Sequence, residues 1–350
     1  MNLKHFIGWT AVLAAMGACA DVTVTDFLKA DGQTDVSDAL QKVIDEHPNQ
    51  TIRFPDGVYL LSKPVLTPAD PKLSVDLQLS NYAVIRAASD WTSGEAMIRL
   101  GASHKANDIR TPGSCYSLTG GILDGAGVAK GISIDGGRET KVMNVSMKRV
   151  LVGLHIKKGA NNGSSDCDIR DVNIVGNGAT NSVGVFCEGH DNTFTNMRIA
   201  DVYTGVLLTG GGNSLRNIHP LFTCKYDAYE QSVGFDVRSW NNWMDFCYSD
   251  HFSIGFRIGE HSNGGIFDKC FCFWYAANPK RRHTVIQADG QFRAVFRDLT
   301  VGFKNNEAVN AVLRVGQDGG SGVIDCLRVN RGLINDPARA HEKYFSGRYH

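Results

Sequence analysis

From about residue 115 onward one short phrase keeps returning: Gly, an apolar residue, a variable residue, an apolar residue. It occurs as Gly131-Ile-Ser-Ile134, Gly153-Leu-His-Ile156, Gly184-Val-Phe-Cys187, Gly205-Val-Leu-Leu208, Gly234-Phe-Asp-Val237 and Gly255-Phe-Arg-Ile258. Successive glycines lie 22, 31, 21, 29 and 21 residues apart. A short period with occasional insertions marks a solenoid. Between these phrases runs a second one that opens on Asn or Asp and ends on an apolar residue. Asp168-Ile-Arg-Asp-Val-Asn-Ile174, Asn192-Thr-Phe-Thr-Asn-Met-Arg-Ile199 and Asn213-Ser-Leu-Arg-Asn-Ile218 are examples. Both phrases alternate apolar and polar residues at period two, the pattern of strands with one buried face. Gly, Asn and Asp are expected to supply the turns because they tolerate positive φ.

Each repeat is then one coil of two or three short strands. A single coil cannot bury its apolar side, whereas coils stacked at about 4.8 Å bury a continuous core. Leucine-rich repeats have similar periods, but their Leu/Asn consensus and helical segments are missing, so the expected fold is all-β, a parallel β-helix. Solenoid ends expose core and unpaired edges and need caps. Residues 35–47 provide one at the N-terminus: Asp35 is the expected N-cap, and Leu40, Val43 and Ile44 form a helical apolar stripe. Residues 51–61 read as strand, turn, strand.

Residues 1–20 read as an export signal. Lys4 and His5 precede an apolar run from Phe6 to Met16, and Ala18 and Ala20 have the A-x-A spacing that predicts a mature N-terminus at Asp21. Met16-Gly17-Ala18-Cys19 is an imperfect lipobox, so a lipid-anchored form through Cys19 is a second exported possibility. No other stretch approaches the roughly 20 apolar residues of a transmembrane helix. The mature protein is expected to be periplasmic or secreted, with the β-helix over residues 21–334, its N-terminal cap at about 21–62, and a tail at 335–350. Lys plus Arg equal Asp plus Glu at 36 each, so no global basic field exists to hold nucleic acid. Of the eight cysteines after cleavage, several lie inside apolar strand patterns. Mostly free, buried thiols are expected, and Cys270-Phe-Cys272 has the wrong spacing for a zinc knuckle.

Ala30-Asp-Gly-Gln-Thr-Asp35, a short helix, then Phe54-Pro-Asp-Gly-Val-Tyr59 resembles the N-terminal signature of the pectate-lyase superfamily, and Gly121-Ile-Leu-Asp-Gly125 resembles its first full coil. The likeness covers most of residues 22–330. It implies a single-stranded right-handed parallel β-helix with a short N-terminal capping α-helix, acting on or holding a polysaccharide or oligosaccharide. Homotrimers are common among such β-helices and are implied as one arrangement. Asp31, Asp35 and Asp56 are read as turn and cap residues.

Period two sends the variable positions of the Gly phrase outward. One outward column holds Ser133, His155, Phe186, Leu207, Asp236 and Arg257; the next holds Asp135, Lys157, Glu188, Thr209, Arg238 and Gly259. Acids, bases and cations thus share one face. The insertion between Ile218 and Val233 carries His219, Phe222, Tyr226, Tyr229 and Glu230 and is expected to wall a groove, its aromatics stacking on sugar rings. The Trp and Phe residues of 240–251 and 271–275 are expected to fill the coil interior or cover its C-terminal end. Asp250-His251 is expected to start a strand and line the groove.

Three chemistries are open. In a polysaccharide lyase, Lys157, His155 or His219 removes the proton beside a uronate carboxylate, which Arg238 and Arg257 hold; a bound cation such as Ca2+ is the other source of positive charge. In a glycoside hydrolase or a fructotransferase-like enzyme, two carboxylates at roughly 5–9 Å are needed, and Glu188 with Asp236 is the candidate pair. The polygalacturonase series Asn-x-Asp, Asp-Asp, Gly-His-Gly and Arg-x-Lys is absent. In a non-catalytic β-helix the same face only binds glycan. Asp135, Arg257, Tyr226, Tyr229, Arg198 and His251 are the expected substrate contacts, and the lyase is slightly favoured.

Overall fold

The structure, a computed structural model, describes residues 21–101, 116–158, 164–274, 283–289, 293–303, 311–315, 322–330 and 345–349. The export segment with Cys19, Cys115 and the Lys280-Arg-Arg stretch lie outside them. The Gly phrases become Lys130–Ile134, Val152–Ile156, Val183–Cys187, Thr204–Leu208, Val233–Val237 and Ile254–Ile258, consecutive members of a ten-stranded parallel sheet. Register places Ser133, His155, Phe186, Leu207, Asp236 and Arg257 in one column, which Arg99 extends at one end and Gln287 and Arg314 at the other. Ile132, Leu154, Val185, Val206, Phe235 and Phe256 point inward and are buried. This is a right-handed parallel β-helix.

The repeated glycines are not turn residues. Their φ values are negative or extended, and the reason for Gly is close approach. A Cβ on Gly153 would lie 2.6 Å from the Gly184 carbonyl oxygen and 2.6 Å from the Ile174 side chain; one on Gly205 would lie 2.5 Å from the Gly234 carbonyl and 2.4 Å from Pro220. In this column the coils stack closely and side chains of the second sheet press in.

That second sheet holds 22 strands, to which a typical coil contributes two legs. Lys141–Met143 with Ser146–Val150, and Trp243–Asp245 with Tyr248–Asp250, are such pairs. The legs meet at a corner residue in the left-handed region: Asn144, Asp171, Asn196, Asn217, Phe246, Lys269 and Asp298 in successive coils. Asn and Asp suit that position because their short polar side chains bond locally.

The cap helix spans Ser37–Glu46 with Leu40, Val43 and Ile44 buried. Val36, not Asp35, is the N-cap. Asp35 lies one residue earlier and accepts from the Ser37 N–H (3.0 Å) and hydroxyl (2.6 Å) and from the Ser62 hydroxyl (2.5 Å). Partial burial raises its pKa, but those donors outweigh it and hold the carboxyl at about 2. Asp31 and Asp56 likewise accept from nearby backbone and hydroxyl groups. At the far end Phe345–Tyr349 pairs in parallel with Val323–Asn330, continuing the ladder into the tail.

Cys167, Cys187, Cys224, Cys247, Cys270 and Cys272 are free and buried. Trp274, Phe235, Phe252 and Phe256 fill the interior, but Trp240, Trp243 and Phe246 are exposed, against the expectation that the aromatics of this stretch are internal. Among the described residues no helix is long and apolar enough to cross a membrane.

Candidate functional site

The outward face of the ten-stranded sheet resolves into clusters of paired charges. Asp135 is buried and receives Arg99 at 2.5 Å and Lys157 at 3.4 Å, and Lys157 also bonds Glu95. The Glu95 carboxyl is held low, first by the Lys157 hydrogen bond. Asp236 is buried too, clasped by Arg238 through Nε (3.0 Å) and Nη2 (2.6 Å), with Arg257 at 3.4 Å and Asp289 3.5 Å from Arg257. Between the clusters the His155 Nε2 lies 2.8 Å from Glu188 Oε2, and the imidazole stacks on Phe186 at 4.5 Å. Burial pushes the His155 pKa down, against the opposing pull of Glu188.

The face therefore unites Asp135 with Lys157, His155 with Glu188, and Asp236 with Arg238 and Arg257. It does not unite Glu188 with Asp236. They lie two rungs apart and offset along the strand, which separates their Cα atoms by roughly 12 Å, and each carboxylate is engaged by its own partner. The expected groove wall also fails: Tyr229 is buried, its hydroxyl 2.9 Å from His283 Nδ1 and its ring 5.4 Å from Phe222. Tyr226 belongs to the 3-10 turn Tyr226–Gln231, and its side chain lies outside the described part of the structure.

Arg198 and His219 sit elsewhere, on the second leg of the 22-stranded sheet, and His251 lies just past the end of that leg. Ser146, Asn173, Arg198 and His219 form one column there, beside Lys148, Val175, Ala200 and Leu221. Leu221 pairs with Asp250, and Tyr248 falls next to His219. A groove of about 300 Å³ runs along these columns, lined by Lys148, Asn173, Arg198 and His219 among others. His219 stacks on Tyr248 at 4.1 Å and 12°, and its Nε2 lies 3.4 Å from Asp250 Oδ2; His251 Nδ1 lies 2.6 Å from Asp250 Oδ1. Burial raises the Asp250 pKa, but the two imidazole hydrogen bonds outweigh it and keep the carboxyl below its usual range. Burial, with Asp250 beside it, pushes the Tyr248 phenol up, so it stays protonated. Phe271 continues the aromatic column at 4.8 Å from Tyr248.

Asp250-His251 ends a strand and does not start one. Tyr248–Asp250 closes the leg, and His251, at φ 65°, turns the chain toward Ile254–Ile258. Lys148 and the anchoring role of Asp250 are not legible in the sequence by residue type. The usable signal is register, because residues a whole coil apart are neighbours. Among the described residues no group of three or more His, Cys, Asp or Glu side chains is arranged to hold a metal ion.

No curated protein matches the sequence. Among solved structures, a mutant tailspike protein of Escherichia coli bacteriophage HK620 superimposes with a TM-score of 0.65 at 12% identity, covering 90% of this chain and 65% of that one. ORF18 of Geobacillus virus E2 gives 0.56 at 14%, covering 94% and 61%. An alginate lyase from a Paenibacillus species gives 0.51 at 15%, covering 90% and 97%. This chain thus spans about three fifths to two thirds of the two viral proteins. At such identities the likeness is one of fold. The family model described as rhamnogalacturonase A/epimerase, pectate lyase-like, matches residues 22–236, more than half of the sequence. With that match carried by coils stacked as a parallel β-helix, the chain belongs to the rhamnogalacturonase A/epimerase family of pectate-lyase-like proteins.

Proposed function

We propose that the protein is an exported polysaccharide lyase whose active site is the Lys148–Arg198–His219–Asp250 groove, cleaving a uronate-containing glycan by β-elimination. Family membership supports a carbohydrate-active or glycan-binding protein. One observation carries the finer reading. Lys148 and Arg198 have no carboxylate partner among the described residues, Arg198 Nη1 bonding only to the backbone carbonyls of Met197 and Asn217, while the nearby carboxylate of Asp250, outside the groove's lining, is engaged by His219 and His251. The cations are thus free for an acidic sugar, unlike those on the ten-stranded face.

Asp250, accepting from Nε2–H, fixes the His219 tautomer and leaves Nδ1 unprotonated. Nδ1 then takes the proton beside the uronate carboxylate. Arg198 and Lys148 stabilise the negative charge that develops on it, and the electron pair expels the glycosidic oxygen at the adjacent carbon. Tyr248, kept protonated, is a proton donor for that oxygen. Hydrolysis by two carboxylates finds no support here, because no carboxylate lines the groove among the described residues and Asp250, behind His219, stays ionised.

The test is to incubate the protein with polygalacturonate, rhamnogalacturonan and alginate, following ultraviolet absorbance of unsaturated ends and reducing ends together, with and without chelator. His219→Ala is expected to lower the elimination rate by about 100-fold or more, and Arg198→Ala chiefly to raise KM. Lys157→Ala and Asp236→Ala are expected to retain most activity. The reverse pattern would move the site to the ten-stranded face. Reducing ends without the ultraviolet signal would mean hydrolysis, and neither signal would leave a glycan binder.

A further inference from the structure

One coil carries three large aromatic side chains on its outside: Trp240 is 48% exposed, Trp243 43% and Phe246 51%. Burying such a side chain is worth roughly 1.5–3 kcal/mol, a gain the fold forgoes three times within seven residues. Phe246 carries a second cost. It occupies the left-handed corner, at φ 54°, that the four preceding coils give to Asn144, Asp171, Asn196 and Asn217. A bulky residue in that conformation is an outlier. Among the described residues only Lys269, its ammonium 5.3 Å from the ring centroid, is seen to engage the ring, and none offsets either cost.

The rings are nevertheless braced. Trp240 stacks on His190 with centroids 6.0 Å apart, and it lies so close over Gly211 that a Cβ there would stand 2.8 Å from the indole. Beside Phe246 is an open depression of about 500 Å³ lined by Thr195, Asn196, Arg216 and Asn217. The Asn217 amide donates to Asn196 Oδ1 at 2.9 Å, which leaves its own side-chain oxygen without a partner among the described residues. Arg216 is two-thirds exposed and approaches Asp245 only through Nε, at 3.5 Å.

We infer that this ridge is a carbohydrate-binding site separate from the groove. Trp240, Trp243 and Phe246 take the C–H faces of pyranose rings in a hydroxyl-rich polysaccharide, and Asn217 and Arg216 hydrogen-bond its hydroxyl and acidic groups. A protein partner wants a contiguous apolar centre, whereas these rings alternate with amides and charges, as an amphipathic sugar requires. The ridge lies on the Trp243–Asp245 leg and its corner, the groove on the following leg, so one polymer can be held at the first while another stretch occupies the second. The inference stands whether the groove cleaves or only binds.

The test uses the full protein with polygalacturonate, rhamnogalacturonan, alginate and a neutral glucan. N-Bromosuccinimide oxidation read by mass spectrometry is expected to modify Trp240 and Trp243, and at least one polysaccharide to protect both, in the wild type and equally in His219→Ala. Phe246→Asn, which restores a residue suited to the corner, is expected to weaken affinity-gel retardation about tenfold with a melting temperature unchanged or raised. Protection by none of the four polysaccharides would overturn the proposal. So would a Phe246→Asn variant that melts lower yet binds as well, or a concentration-dependent self-association that Trp243→Ala abolishes.

Discussion

Two histidines occupy equivalent local settings on different faces. His155 lies flat on Phe186 with Nε2 at Glu188, and His219 lies flat on Tyr248 with Nε2 toward Asp250. At His155 burial outweighs the carboxylate, and its pKa falls below 6.5. The folded state therefore favours the neutral ring, and as pH falls the unfolded chain binds the proton first. The stability from His155 is complete above about pH 6.5 and is lost as pH drops below it. Urea titrations between about pH 7 and pH 5 should show the wild type losing more stability than His155→Gln, whose amide still reaches Glu188. Equal losses would show that burial does not govern this imidazole.

At the scale of elements, stacking is enforced by side-chain ladders as well as by strands. Asn192, Asn213 and Asn242 are fully buried at the turns entering the second sheet. Asn192 Nδ2 donates to Asn213 Oδ1 (3.0 Å), Asn213 Nδ2 to Asn242 Oδ1 (3.1 Å), and each oxygen also accepts a backbone N–H from the coil before, as in Asn192 N to Asn213 Oδ1 at 3.0 Å. Asn213 further donates to the Gly210 and Gly189 carbonyls. Removing its amide strands buried groups on both neighbouring coils, each costing about 1–3 kcal/mol. Asn213→Ala is accordingly expected to lose about 3 kcal/mol or more in denaturant unfolding, a larger loss than that of Asn217→Ala, where a half-buried residue gives up one side-chain hydrogen bond and leaves Ala at a left-handed corner. The ladder's spacing, 21 and then 29 residues, is the spacing of the Gly phrase, yet the residue type alone says only that a turn is near.

For the whole molecule, a stack of coils presents distinct long faces. On one, cations and carboxylates neutralise each other; on another, Lys148 and Arg198 have no carboxylate partner among the described residues and lie near an ionised Asp250. On the proposed reading the protein meets its polymer outside the cell, and the first 20 residues read as the export signal that reading requires. Expressed in a bacterium with its own first 20 residues, the protein should yield an intact mass beginning at Asp21. A mass beginning at Cys19 with attached acyl chains would establish the lipoprotein form instead.

The sequence by itself determined the fold, since a periodic pattern states which residues face inward and the inward set must be buried whatever lies outside. It also ordered the outward columns correctly, from Ser133 to Arg257. It placed glycine at turns, as at Gly120 and Gly136, but did not show why Gly also heads each phrase, because the atoms that exclude a Cβ at Gly153 belong to residues a coil away. Only the tertiary structure decided which charged residues are free. Ion pairs such as Lys157 with Glu95 span 62 positions, and Arg99 with Asp135 spans 36, so availability depends on partners that composition cannot assign. The same holds for the groove: His219 and Asp250 stand 31 residues apart, and their meeting follows from one coil resting on the next.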